Sequence, residues 1–295
     1  MAIHPSSTTS DSAIRTLKMV FYGAGPMAEA IVRGILERDL TDPGQITMIN
    51  RQNAARLEEL QNNYMVRTPH ESNDKQNALK NADIIFLAMK PKDAAEAIRE
   101  LRGIVTPGHL IVSVIAGLSI RTIRQLLDTS VPIVRTMPNT SSTIGLGATG
   151  ISFSSDISEI WRTRMIEIFQ SIGVTAVVDE PLLDSVTGLS GSGPAYVYYL
   201  MESLVKAGQL LGLSEEASKM LTVQTVLGAA QMVMTTGEQP AELRRKVTSP
   251  NGTTQAAIEI LDAHHFTDAV TKAVFRAAER AGELGEMIER SASSK

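Results

Sequence analysis

Short, continuously apolar runs punctuate the first half of the chain, and between them apolar residues recur at helical spacing. Residues 19–22, 45–50, 83–88, 110–115 and 132–137 read as strands, followed later by 147–153 and 174–178. Residues 27–38, 54–62, 94–101 and 119–127 read as helices. The first of these places Ala28, Ile31, Val32 and Ile35 on one face. Alternation of this kind predicts a parallel sheet with helices on both faces. Strands buried on both sides are apolar throughout rather than alternating, as these are.

Near Asp179 the pattern changes, and strand signals almost vanish. A long helix is predicted over 193–211, ending at Gly212. Ser214 caps the next, which runs to about residue 235 and stops at Gly237. Pro240 opens a short helix, 253–262 forms another, and Thr267 is expected to cap the last, to about residue 290. In the helix after Ser214, Val223, Val226, Leu227, Ala229, Ala230, Met232 and Val233 nearly encircle the axis. A helix apolar all round is a buried helix. A bundle this small has little room to bury it alone, so a second subunit is expected to cover it.

Composition narrows the class. The chain has 295 residues, 43% hydrophobic and 20% charged, enough for one large domain or two ordinary ones with a full core. A net charge of −4 argues against a nucleic-acid surface, which needs a basic excess. There is no cysteine, so disulfides, thiolate catalysis and thiolate-bound metals are excluded, and no metal site is expected. No apolar run approaches the ~18 residues of a membrane span. Residues 1–17, rich in Ser and Thr and without an apolar segment, read as a disordered extension, and the cytoplasm is the expected location.

Candidate chemistry begins at the first strand end. Gly23-Ala24-Gly25-Pro26-Met27-Ala28 has the Gly-x-Gly-x-x-Ala form of a dinucleotide fingerprint, in the right strand–turn–helix setting. Gly23 permits the turn, Gly25 lets a pyrophosphate approach the backbone, and Ala28 permits close helix–strand contact. Pro26 has no N–H to offer a phosphate but suits a first helical turn. The second strand ends Ile49-Asn50-Arg51-Gln52, without the acid that would bond a ribose 2′-hydroxyl. Asn50 and Arg51 suit a 2′-phosphate, so NADPH is favoured and NADH remains possible. Later strand ends add Ala88-Met89-Lys90-Pro91, the small residues around Ala116, and Asn139, which is placed to reach a reaction centre. The fold expected is therefore α/β: a Rossmann-type doubly wound sheet over 18–180, then an all-helical domain over 181–295.

Two loops lie in the helical half. Leu189-Ser190-Gly191-Ser192-Gly193-Pro194 reads as a hinge and close-packing segment rather than a phosphate loop, because Pro194 falls in a first helical turn. Val247-Thr248-Ser249-Pro250-Asn251-Gly252-Thr253-Thr254 feeds a helix whose first N–H groups lack internal partners. Either it is an ordinary hydroxyl-capped helix, or it is an anion site built on the positive helix end.

On these motifs, from about residue 18 to 289, the sequence resembles the pyrroline-5-carboxylate reductase family. The stretch 247–254 and the stretch 187–196 carry the resemblance most specifically. It implies NAD(P)H-dependent reduction of the cyclic imine 1-pyrroline-5-carboxylate to L-proline, and an interlocked homodimer formed through the helical domain. It also implies that the substrate carboxylate sits at Ser249, Gly252, Thr253 and Thr254. The resemblance further implies that Thr254 lies near the ring nitrogen as the catalytic hydroxyl and that Glu180 approaches the cofactor. Members usually carry Gly-Gly after Ser-Pro, where this chain has Asn251-Gly252. Asn tolerates left-handed geometry better than most residues, so the turn is expected to survive. The alternatives are a reductase of another cyclic imine or of a ketoacid, and a non-catalytic dinucleotide-binding protein.

Overall fold

The computed structural model describes residues 14–293. Among them, seven strands form one sheet: β1 (Met19–Tyr22), β2 (Ile46–Ile49), β3 (Ile84–Leu87), β4 (Leu110–Ser113), β5 (Ile133–Met137), β6 (Gly147–Phe153) and β7 (Gly173–Val177). Their order is β2-β1-β3-β4-β5-β6-β7. Five of the six pairings are parallel, and β5 with β6 is antiparallel. That reversal corrects the all-parallel expectation. A parallel link needs a crossover of a dozen or more residues. Between Met137 and Gly147 the chain has only a tight 3-10 turn, Thr140–Ile144, closed by Gly145 in left-handed geometry.

The helices of this part are α1 (Pro26–Glu37), α2 (Ala54–Tyr64), α3 (Ser72–Lys80), α4 (Ala94–Arg99), α5 (Ile120–Leu127), α6 (Glu159–Gln170) and α7 (Leu183–Val186). On one sheet face Phe21 and Phe86 stack with ring centroids 4.3 Å apart. Ile31 and Ile35 of α1, Leu57 of α2 and Ile168 of α6 close over that face. On the other, Val20, Ile85, Leu87 and Ile111 meet Ile98 of α4 and Ile123 and Leu126 of α5. The side chains alternate between two cores because successive strand residues point to opposite faces. Helix α3 escaped the sequence pattern: only Leu79 is buried on it, so no apolar stripe marks it.

The remaining helices are α8 (Gly193–Leu210), α9 (Glu215–Thr236), α10 (Pro240–Lys246), α11 (Thr253–Ala263) and α12 (Phe266–Ser293). Ser214 caps α9 by accepting the Ala217 N–H, and Gly237 ends it in left-handed geometry, as expected. Thr267 is not a cap. Only His264 and His265 separate α11 from α12, and His265 turns the chain at φ 54°, so the helix has already resumed at Phe266.

The chain divides into two compact units. One holds the described residues through Gly191 together with those from Arg276 onward, and the other is Ser192–Phe275. The expected helical domain, 181–295, thus gives up both its ends. Leu183 is buried with the sheet unit, and Arg135 of β5 binds Asp184 at 2.9 Å. At the other end Ile288 of α12 joins the second core, and Arg99 donates to the Ser291 carbonyl at 2.6 Å. The dividing point Gly191–Ser192 lies inside the motif read as a hinge, directly after a π-helical turn, Thr187–Gly191. Most of the expected extension lies outside the described residues. Its last part does not fit that reading, because Ile14 is buried in the first core and the Arg15 carbonyl accepts from Thr41 at 2.8 Å.

In the second unit, no apolar residue of α8, α9, α10 or α11 is buried. On α9 only Ser218 and Thr222 are, while Val223, Leu227 and Met232 stand exposed. No described helix is long and apolar enough to cross a membrane.

Candidate active site

The strand order 2-1-3 puts a switch point at β1, where the connections from adjacent strands diverge. Ligands of open α/β sheets bind beyond the carboxyl ends of strands at such a point. A cleft of about 660 Å³ lies there. Gly23, Ala24, Gly25, Asn50, Arg51, Ala88, Met89 and Lys90 line it, as the sequence predicted. A larger hollow of about 880 Å³ lies at the opposite strand ends, beside Lys18, Gly44 and Asn81, away from every motif named above.

Each glycine of the fingerprint has its own physical reason. Gly23 has φ 117°, and a Cβ there would lie 2.5 Å from the carbonyl carbon and oxygen of Ala88. The β1 turn and the β3 end therefore press backbone to backbone. Gly25 is the N-cap of α1, where no side chain fills the cap, and a Cβ on it would meet nothing within 4 Å. Open space beside uncapped helix N–H groups is the arrangement a phosphate needs. Pro26 begins α1, Met27 is half-buried and Ala28 is fully buried, so these three support the loop rather than line the cleft.

An ionic brace under the loop had no sequence signature. Arg56 of α2 donates to the Ala24 carbonyl at 3.3 Å and pairs with Glu29 of α1. Tyr64 donates to the same carboxylate at 2.9 Å. Burial pushes the Glu29 carboxyl upward, but hydrogen bonds from Arg56 and Tyr64 and the Arg56 charge prevail, holding it below the ordinary carboxylate value. Tyr22, Gln52, Asn53, Lys92, Asp93 and Ala97 also line the cleft and were not singled out from sequence. Tyr22 was findable, as the last residue of β1.

Other expected site residues stand apart from this cleft. Pro91 opens the turn into α4. Ala116 precedes Gly117, which has φ 75° and lies against α12: a Cβ on it would come within 2.8 Å of the Ala281 oxygen and the Gly285 nitrogen. Glu180 accepts the Ile120 N–H at 2.7 Å, filling the start of α5, and faces Arg135 at 3.5 Å. It stands near the Ala116 loop with its carboxylate already engaged. Asn139 is also engaged: its amide donates to the Ser190 carbonyl at 3.0 Å and accepts the Ala148 N–H at 3.2 Å. The expectation that Asn139 reaches a substrate gains no support from this geometry, in which it braces the end of β5.

In the second unit, α10 leads through residues 247–252 into α11. Asn251 takes φ 59°, the left-handed geometry expected of it, and its N–H donates to Gln255 Oε1 at 2.8 Å. Gly252 is the N-cap, and no side chain fills the cap. A Cβ on Gly252 would come 2.6 Å from Ser249 Oγ, so glycine is what lets that hydroxyl lie over the helix start. The ordinary-cap reading fails here, because the Ser and Thr residues surround the helix end without capping it.

Comparison with known proteins agrees with both halves. Residues 18–117 match the family described as NADP oxidoreductase coenzyme F420-dependent, and residues 180–284 that described as pyrroline-5-carboxylate reductase dimerisation. Pyrroline-5-carboxylate reductase 2 of Bacillus subtilis is 41% identical over 92% of this chain and 96% of its own. The Pseudomonas aeruginosa pyrroline-5-carboxylate reductase is 35% identical over 92% of this chain and 98% of its own. A solved pyrroline-5-carboxylate reductase from Coxiella burnetii superposes with a TM-score of 0.84 at 35% identity, covering 92% of this chain and 99% of that one. A Plasmodium falciparum pyrroline carboxylate reductase, solved with NADP bound, gives 0.82 at 27% identity, covering 92% and 100%. The chain belongs to the pyrroline-5-carboxylate reductase family.

Proposed function

We propose that the chain reduces 1-pyrroline-5-carboxylate to L-proline with NAD(P)H, the final step of proline biosynthesis. The observation that carries this reading is a pair of anion-ready helix starts, one in each unit. Both α1 and α11 begin at a glycine with no side-chain cap, and α1 opens on the cleft at the strand ends. The residues present fit a dinucleotide: Gly25 leaves open space at the α1 start, and Arg51 and Lys90 supply positive charge along the cleft.

When bound, the nicotinamide supplies the hydride. The protein's own work is binding and orientation. A protonated imine is already a good hydride acceptor, so proximity dominates over acid–base catalysis. The α11 start, with Ser249, Gly252, Thr253 and Thr254, takes the substrate carboxylate on its free N–H groups and hydroxyls. The Thr254 hydroxyl accepts a hydrogen bond from the ring N–H and fixes the imine carbon. Glu180 holds the start of α5 beside the Ala116 loop, and Asn139 holds the end of β5.

The same reading makes the assembly a homo-oligomer through the helical unit, supported by the exposed apolar residues of α9. A cytoplasmic location and a preference for NADPH belong to it as well. The test is loss of NADPH absorbance across a panel of cyclic imines and ketoacids. Turnover of 1-pyrroline-5-carboxylate well above the rest is expected. Turnover of a ketoacid or another imine in its place would transfer the assignment, and tight NADPH binding with no turnover would make the chain a dinucleotide-binding protein.

A further inference from the structure

Beside the cleft stand carboxylates that the reading above leaves unused. In the turn after β2, residues 50–53, Arg51 is the one charged side chain. Asn50 has its oxygen committed to that turn, accepting the Gln52 N–H at 3.1 Å and the Asn53 N–H at 3.2 Å. Recognition of a 2′-phosphate in this turn therefore rests on the Arg51 guanidinium. That group is not idle. Its Nη1 lies 3.1 Å from Glu96 Oε2 on α4, the helix whose Ala97 lines the cleft. Two more carboxylates accompany Glu96 on the same segment. Asp93 lines the cleft, and Glu100 accepts the hydroxyl of Tyr22, itself a lining residue, at 2.7 Å. Hydrogen bonding to Glu96, and then the charges of Glu96, Glu100 and Asp93, hold the Arg51 guanidinium more firmly protonated than usual.

A carboxylate bound to this arginine competes with a phosphate for it. It does not compete with a ribose hydroxyl, which carries no charge. Dinucleotide folds usually select against the 2′-phosphate with an acid at the end of the second strand. In this chain Asn50 stands at that strand end, and an acid from α4 reaches the cation instead. We propose that Glu96 is a cofactor-specificity residue: it holds Arg51 in the free protein, must release it when NADPH binds, and so lowers the affinity for NADPH while leaving that for NADH unchanged. The inference rests on the reading that Arg51 receives the 2′-phosphate.

The pair is well exposed on both sides, 59% for Arg51 and 66% for Glu96. Exposed pairs are weak, so the effect is modest, about three- to fivefold in affinity. The test is equilibrium titration of NADPH and of NADH into the full-length protein, followed by cofactor fluorescence, for wild type, Glu96→Gln, Arg51→Gln and the double variant. Glu96→Gln should tighten NADPH about three- to fivefold and leave NADH unchanged. Arg51→Gln should weaken NADPH about tenfold or more, and in that background Glu96→Gln should do nothing. If Arg51→Gln weakens NADPH but Glu96→Gln leaves it as in wild type, the role of Glu96 is overturned and the reading of Arg51 stands. Equal shifts for both cofactors mark a structural effect and overturn it too. If Arg51→Gln leaves NADPH binding intact, the reading of Arg51 falls, and the proposal with it.

Discussion

Two glycines two positions apart in one motif, Gly23 and Gly25, have opposite physics. Gly23 is required by the fold, since both its φ of 117° and the Ala88 backbone exclude a Cβ. Gly23→Ala should cost on the order of 3 kcal/mol in a urea melt. Gly25 meets no such constraint from the fold, with ordinary backbone angles and open space around it, and under the proposed function it serves the ligand. Gly25→Ala should melt like wild type yet bind NADPH at least about tenfold more weakly by fluorescence titration, because the added methyl occupies the phosphate's approach. The sequence could name both residues but not separate them, because the separation depends on Ala88, 65 positions away along the chain by the residue numbers. The Glu29–Arg56–Tyr64 brace was illegible for the same reason: three polar residues on two helices have no period that marks them as partners. It has a pH signature. Glu29 has its carboxyl lowered in the folded state, so its contribution is complete above the unfolded value and is lost as pH falls through the lower folded one. Glu29→Gln should be about 1 kcal/mol less stable near pH 7 and lose less stability on acidification than wild type. Denaturant melts between pH 7 and pH 3 check both halves.

Among the elements, the periodic ones were readable and the contextual ones were not. The strands and the long helices announced themselves by apolar runs, caps and glycine stops, as at Ser214 and Gly237 around α9. Helix α3 has one buried residue and no stripe, and the β5–β6 reversal depends on a turn too short for a crossover. The second half of α12 was read as part of a separate domain, but its backbone reaches the sheet unit through paired glycines. Gly285 lies against the Gly117 carbonyl closely enough that a Cβ would collide with backbone. Alanine is favoured over glycine inside a helix by about 1 kcal/mol. At this position the collision outweighs that gain, and Gly285→Ala should lower stability by about 1–3 kcal/mol in a urea melt. At α11 the hydroxyl-rich sequence suits both a cap and an anion site, and in the fold the cap stands unfilled.

For the molecule as a whole, the sheet unit carries two complete cores, whereas helices α8 to α11 bury no apolar residue in the single chain. Exposure of Leu227, Met220 and Met234 on one helix is the mark of a surface made to be covered. Leu227→Arg should shift the protein toward monomer by light scattering and lower its melting temperature, whereas a stable, active monomer in the wild type would remove the assembly from the account. The sequence made this surface visible through the all-round apolar pattern of α9, though not the partner's geometry. The central claim is the proposed reduction of 1-pyrroline-5-carboxylate, with the substrate carboxylate held at the hydroxyl loop. Its most direct test is the steady-state rate of NADPH oxidation by 1-pyrroline-5-carboxylate in wild type, Ser249→Ala and Thr254→Ala. The account predicts that Ser249→Ala mainly raises KM, about tenfold, by losing a hydrogen bond to the charged carboxylate. It predicts that Thr254→Ala lowers kcat by about tenfold or more, by loosening the imine carbon. Wild-type kcat and KM in both variants would contradict it.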